Sequence, residues 1–149
     1  MVKNMKVLQI NIFGNLSTGR IAVDLYNVLK NNGHQGLVAY ARNTISAGIP
    51  HYVIGTKQNV YIDALLTRIT DRAGFFSKSA TIKLIEQIKR YDPDVIHLHN
   101  LHGYYINVEI LFNYLKSSGK PVVWTLHDCW AFTGHCCHFS AIKCDRWKT

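Results

Sequence analysis

Short apolar, β-branched segments alternate along the chain with longer ones whose apolar residues recur every three to four positions, the pattern of strands interleaved with helices. Residues 5–12 (MKVLQINI) predict a first, buried strand, although Gln9 and Asn11 interrupt its apolar run. Ser17 or Thr18 is placed to cap a helix from about Gly19, with Ile21, Leu25, Val28 and Leu29 on its inner face and Gly33 as its terminator. Residues 35–41 predict a second strand, and residues 52–54 a short third one after the turn at Gly48 and Pro50. Residues 60–71 predict a helix with Tyr61, Ala64, Leu65 and Ile69 inward. GFFSKSAT breaks it, and Ser79 or Thr81 opens the next helix, which buries Leu84, Ile85 and Ile88 and ends near Tyr91 because Pro93 disfavours helical geometry at Asp92. Residues 94–98 predict a central strand, residues 106–115 a helix with Ile110, Leu111, Tyr114 and Leu115 inward, and residues 122–126 a last strand buried in the sheet. Strands and helices in strict alternation predict the α/β class: a Rossmann-like parallel sheet flanked by helices and wound by right-handed crossovers.

In such a sheet, ligands bind beyond the carboxyl ends of the strands where strand order reverses. If the first strand and the 94–98 strand are neighbours, the loops at 13–18 and 97–105 flank that point, and the loop at 127–134 joins them. Gly14, Asn15, Ser17, Thr18 and Gly19 then make either an anion site at a helix start or an ordinary capped turn. Gly14 and Gly19 have the spacing of a nucleoside-triphosphatase phosphate loop. However, Arg20 and Ile21 stand where its lysine and hydroxyl belong, and the three-glycine dinucleotide fingerprint is missing. His97 and His99 share one strand face. His97, the deeper, is expected to be a satisfied core residue, whereas His99, Asn100 and His102 lie nearer the tip and are expected to meet ligand, with Tyr104 and Tyr105 available for stacking or hydroxyl hydrogen bonds.

A chain of 149 residues with 48% hydrophobic residues can bury one core and is expected to be one domain. Seventeen Lys and Arg against nine Asp and Glu give a net charge of +8, which favours anionic partners. The basic residues are scattered, so solvated faces explain them better than a nucleic-acid stripe. No segment has the length of a signal peptide's apolar core or of a membrane span, which predicts a cytoplasmic protein whose cysteines are thiols. Cys129, Cys136, Cys137 and Cys144, mixed with His127, Asp128, His135 and His138, invite a zinc reading. Their spacing resists it, because there is no pair of CxxC knuckles, so buried thiols and no metal ligand are the expectation.

STGRI at 17–21, DVIHLHNLHGYYIN at 94–107, PVVWTLHDCWAFTGHC at 121–136 and KCDRW at 143–147 resemble the amino-terminal part of bacterial glycosyltransferase family 4 enzymes, of the kind that build colanic acid and other capsular or surface polysaccharides. The resemblance implies a GT-B architecture, two Rossmann-like domains facing across a cleft, of which residues 1–149 are the acceptor-side domain. It implies a retaining hexosyltransferase that moves a sugar from a nucleotide-sugar donor to a saccharide or lipid-linked acceptor, needs no cofactor or catalytic metal, and contacts the inner face of the membrane peripherally. His127 matches the family's active-site histidine and Gly14 its loop near the donor diphosphate. Asn15, Ser17, Thr18, His99, Asn100, His102, Tyr104 and Asp128 fall in the surrounding substrate-binding segments. The donor-binding domain, with its two glutamates separated by seven residues, has no counterpart in the sequence, so the chain alone is expected to be an inactive fragment. The competing reading is a basic, zinc-stabilised module that contacts nucleic acid or an anionic surface.

Overall fold

The computed structural model describes residues 4–133 and 137–138. In chain order its elements are β1 (Lys6–Phe13), α1 (Thr18–Asn31), β2 (Gln35–Arg42), β3 (His51–Val53), α2 (Lys57–Thr70), α3 (Lys78–Tyr91), β4 (Val95–Leu98), α4 (Val108–Ser118), β5 (Val122–Trp124) and a single turn, α5 (Trp130–Thr133). The five strands form one parallel sheet in the order β3-β2-β1-β4-β5, so the chain reverses direction across the sheet between β1 and β4. Every predicted strand and helix is present within a few residues of its expected bounds; α5 alone had no sequence signal.

The two faces of β1 differ in chemistry. Leu8, Ile10 and Ile12 join Ile96 and Leu98 of β4, Leu84 and Ile88 of α3, and Leu111 and Leu115 of α4 in the main apolar core. On the opposite face Gln9 and Asn11 are fully buried, and the register places His97 beside Gln9 on that same face. A smaller cluster of Ala22, Tyr26, Val38 and Ile49 packs α1 there.

The inner face of α1 is not the expected one. Ile21 and Val28 are exposed and Leu25 and Leu29 only half-buried, while Thr18, Gly19, Ala22 and Tyr26 are buried. Close approach explains the rotation: a Cβ at Gly19 would lie 2.8 Å from the Phe13 carbonyl oxygen, and the Tyr26 ring rests where Gly36 has no side chain. Small residues therefore line the contact and larger ones turn outward. Neither Ser17 nor Thr18 caps the helix, since Ser17 makes no side-chain cap bond and the Thr18 hydroxyl donates to Asn11 Oδ1 at 3.0 Å.

Helix α2 is inverted relative to expectation. Tyr61, Leu65 and Ile69, taken as its inner face, are 75%, 59% and 71% exposed, and Ala64 is half-buried. Asp63 and Thr67 are buried in their place, with the Asp63 carboxylate accepting hydrogen bonds from the Thr67 and Ser77 hydroxyls. Burial raises the Asp63 pKa, and these two hydrogen bonds oppose the rise. A capping box between Thr56 and Asn59 fixes the start of α2. Neither Ser79 nor Thr81 caps α3, which follows Ser77 in a left-handed conformation; the Thr81 hydroxyl accepts from Asn107 N at 2.7 Å and donates to the Ser77 carbonyl. Strand β5 is an edge strand paired with β4, so Val122 and Val123 are exposed rather than buried. No helix among the described residues is long and apolar enough to cross a membrane.

Because the obstruction at Gly19 is backbone, Gly19→Ala must push α1 off the end of β1. We expect this substitution to cost about 1–3 kcal/mol in urea unfolding, and an unchanged midpoint would show that the strand–helix junction is not closely packed.

Candidate active site

The loops after β1, β4 and β5 meet at the carboxyl edge, and a side chain at the end of β1 ties the first two together. Asn11 Oδ1 accepts from the Thr18 hydroxyl and from Asn100 N at 3.3 Å, while its Nδ2 donates to the Phe13 carbonyl. The sequence reading passed over Asn11 and Gln9 as interruptions. Their signal was there nonetheless, because an amide side chain inside a buried strand must find partners.

Gln9 starts a directional chain of hydrogen bonds. Its Nε2 donates to the Ala22 carbonyl at 2.8 Å, which makes its Oε1 an acceptor. That oxygen lies 3.1 Å from His99 Nε2, so the His99 proton sits on Nε2 and its Nδ1 accepts. His127 Nε2, 3.1 Å from His99 Nδ1, must therefore be the donor, and in neutral His127 the free lone pair falls on Nδ1. Burial, reinforced by the nearby His97 and His127, lowers the His99 pKa to about 3 and keeps the ring neutral. His99 is thus buried, contrary to the expectation that it meets ligand; it reaches the crevice through His127. His97 is satisfied as expected, with Nε2 2.8 Å from the Thr125 hydroxyl and its ring stacked 4.2 Å from that of His99. Burial, and then His127, lowers its pKa as well.

His127 lines a recess of about 10 Å³ with His99, Asn100, Asp128 and Trp130, room for about one water. Asp128 accepts from Trp130 N at 2.9 Å through Oδ1, and its Oδ2 takes Asn100 Nδ2 at 3.4 Å and His102 Nε2 at 2.8 Å. His102 and Asp128 therefore satisfy one another. Cys137 Sγ lies 3.6 Å from His102 Nε2, and one donor atom from each of the three residues falls within 4.8 Å of the others, so this trio could hold a metal. Cys136, Cys144 and His135 lie outside the described residues, while Cys129 and Cys137 are thiols.

Around the first loop, the amides of Gly14, Gly19 and Arg20 already donate to the carbonyls of Arg42, Leu16 and Ser17. This corrects the picture of a row of open amides and favours the turn reading of the loop. Gly14 is needed for space, since a Cβ there would come within 3.0 Å of the Tyr40 ring. Ser17 is exposed, and Thr18 is committed to Asn11. The Asn15 Oδ1 is enclosed without a hydrogen-bond partner.

Sequence reasoning missed a groove of about 730 Å³ over the ends of β2 and β3. Arg42, Lys57 and Arg68 bring cations to it, Tyr104 closes one side, and Tyr61 and Leu65 of α2 form an apolar lip. Arg42 Nη2 donates to the Gly103 carbonyl at 2.7 Å, and Gly103 and Tyr104 both have positive φ, so this contact sets the turn that aims Tyr104.

Residues 18–147 match the family described as Glycosyltransferase Family 4. A 62-residue stretch is 39% identical to WcaC of Escherichia coli (strain K12), assigned as a colanic acid biosynthesis glycosyl transferase, and covers 38% of this chain and 15% of that protein. A glycosyltransferase from Rickettsia africae ESF-5 shares the fold at a TM-score of 0.54 and 15% identity, over 85% of this chain and 30% of its own. The glycosyltransferase VinC, solved with dTDP, does so at a TM-score of 0.57 and 18% identity, over 83% of this chain and 35% of its own. The chain thus spans about a third of the solved relatives and less of WcaC. A family match over residues 18–147, most of the sequence, establishes that this chain belongs to glycosyltransferase family 4.

Proposed function

We propose that residues 1–149 form the acceptor-side domain of a retaining glycosyltransferase in surface polysaccharide synthesis, and that His127 is its catalytic residue. The observation that carries the reading is the orientation of His127 at the carboxyl edge of the sheet, where it meets the end of β4 through His99. Its Nε2 is held by His99, so its Nδ1 is the atom left to accept a hydrogen bond from a sugar hydroxyl. In this reading the acceptor oxygen bonds to the anomeric carbon as the bond to the diphosphate oxygen breaks, and the acceptor proton passes to that diphosphate. His127 fixes the hydroxyl geometry and needs no metal or further cofactor. The dTDP bound to VinC supports a nucleoside-diphosphate sugar as donor, gripped mainly by a second domain, with Gly14, Asn15 and the rest of the first loop facing it. For that reason the chain alone should transfer no sugar.

We also place the acceptor in the groove of Arg42, Lys57 and Arg68. Cations beside an apolar lip suit an amphiphile, such as a saccharide linked through phosphate to a lipid, better than a nucleic-acid backbone. The outward apolar residues of α2 continue that lip and offer peripheral contact with an anionic membrane surface at the cytoplasmic face.

In the two-domain enzyme, His127→Ala should lower turnover on the order of 10²-fold and leave the thermal midpoint within a few degrees; near-normal turnover would remove His127 from the mechanism. The tautomer chain also gives a pH dependence. His99 stays neutral in the fold down to about pH 3 but takes a proton near pH 6.5 when unfolded. Between those values the unfolded chain binds more protons, so stability present above pH 6.5 is lost as pH falls, by up to about 1.4 kcal/mol per pH unit from this residue. Urea midpoints from pH 7.5 to 5 should show the decline, flattened in His99→Gln, and equal slopes in the two proteins would contradict the assignment. For the membrane contact, sedimentation with vesicles containing phosphatidylglycerol should bring down the chain, and the Tyr61→Ser/Leu65→Ser pair should weaken that binding at least tenfold. Equal binding by both proteins would rule α2 out as the contact.

A further inference from the structure

We propose that His102 Nε2, Asp128 Oδ2 and Cys137 Sγ are three corners of a zinc site that pins the loop after β5 onto the loop after β4. The absence of paired CxxC knuckles argues against a site built from the cysteine-rich loop alone. The fold instead assembles a mixed donor set from residues 35 positions apart, which no spacing rule within one loop can reveal.

The distances fit the ion. With Zn–N of about 2.0–2.1 Å, Zn–S of about 2.3 Å and tetrahedral angles, the N···S edge of a zinc site is about 3.6 Å. His102 Nε2 and Cys137 Sγ are 3.6 Å apart. The 2.8 Å between His102 Nε2 and Asp128 Oδ2 is shorter than the N···O edge of about 3.3 Å, so the carboxylate need only swing out by about half an ångström. Imidazole, carboxylate and thiolate together make a borderline-soft set that suits zinc and not magnesium or calcium. One carboxylate and one thiolate also balance the two positive charges of the ion.

Outer contacts hold the donors in place, as zinc sites require. Trp130 N donates to Asp128 Oδ1, Asn100 Nδ2 reaches Oδ2, and the Trp130 ring lies 5.9 Å from that of His102. A backbone bond from Cys129 N to the Cys137 carbonyl at 3.0 Å closes the loop and brings the thiol back to the sheet edge. Beside His102 and Cys137 lies a cavity of about 150 Å³, space for a fourth ligand. The ion serves structure rather than transfer chemistry: it fixes Asp128, and through it the backbone that presents His127.

The test is metal content after dialysis of the purified chain against micromolar zinc, with ligands counted by X-ray absorption. We expect one zinc per chain bound by a single sulfur and nitrogen or oxygen donors. The zinc should be lost in Cys137→Ser and His102→Ala, bound at least tenfold more weakly in Asp128→Asn, and retained in Cys129→Ser. Absence of stoichiometric zinc, a site with two or more sulfurs, or full zinc retention in Cys137→Ser would each overturn the proposal. The sulfur count on the unmodified chain decides the matter even if a variant fails to fold.

Discussion

Gln9 is an amide side chain in the middle of the most buried strand, and its need for partners organises the site. Neither end of it can reach water, so one end must donate and the other accept within the protein. The Ala22 carbonyl takes the donor and His99 supplies the proton for the acceptor. Once those assignments are made, the tautomers of His99 and His127 have no freedom left. A packing interaction between β1 and α1 thus sets the protonation pattern of an imidazole on the far side of β4. Reversal of the Gln9 amide would leave two buried groups unpaired, at a cost of roughly 1–3 kcal/mol each.

The same asymmetry of β1 explains how the fold stays tightly built while carrying polar groups to its edge. Leu8, Ile10 and Ile12 supply the apolar core against α3 and α4, whereas Gln9 and Asn11 look toward α1. Asn11 then binds the first helix and the fourth strand's loop to one oxygen. Close packing of α1 through Gly19 and Ala22 is the condition for this, because a wider separation would take the Ala22 carbonyl out of reach of Gln9. The crevice is closely packed on that side and open toward β2, β3 and α2, where the groove lies.

Two surfaces among the described residues leave large apolar side chains exposed. The outward face of α2 carries tyrosine, isoleucine and leucine because Asp63 and Thr67 bind the helix inward through hydroxyl and carboxylate contacts. At the β5 edge Val122, Val123 and Leu126 are exposed, and Phe112 of α4, also exposed, lies against Trp124.

Periodicity in the sequence determined the α/β class, the element order and the neighbourhood of the crevice, because strands and helices have different repeats and ligand loops follow strand ends. The motifs DVIHLHNLHGYYIN and PVVWTLHDCWAFTGHC pointed to the family. Tertiary structure alone decided which helix faces turn inward, since a single approach distance at Gly19 or one buried carboxylate at Asp63 outweighs a modest apolar stripe. It decided, too, that His99 is buried and that His102 faces Asp128 and Cys137. Arg42, Lys57 and Arg68, scattered along the chain, converge on one groove for the same reason. Residues far apart in sequence become neighbours only through the winding of the sheet, and hydrogen-bond direction, charge convergence and mixed metal-donor sets all arise from neighbours of that kind.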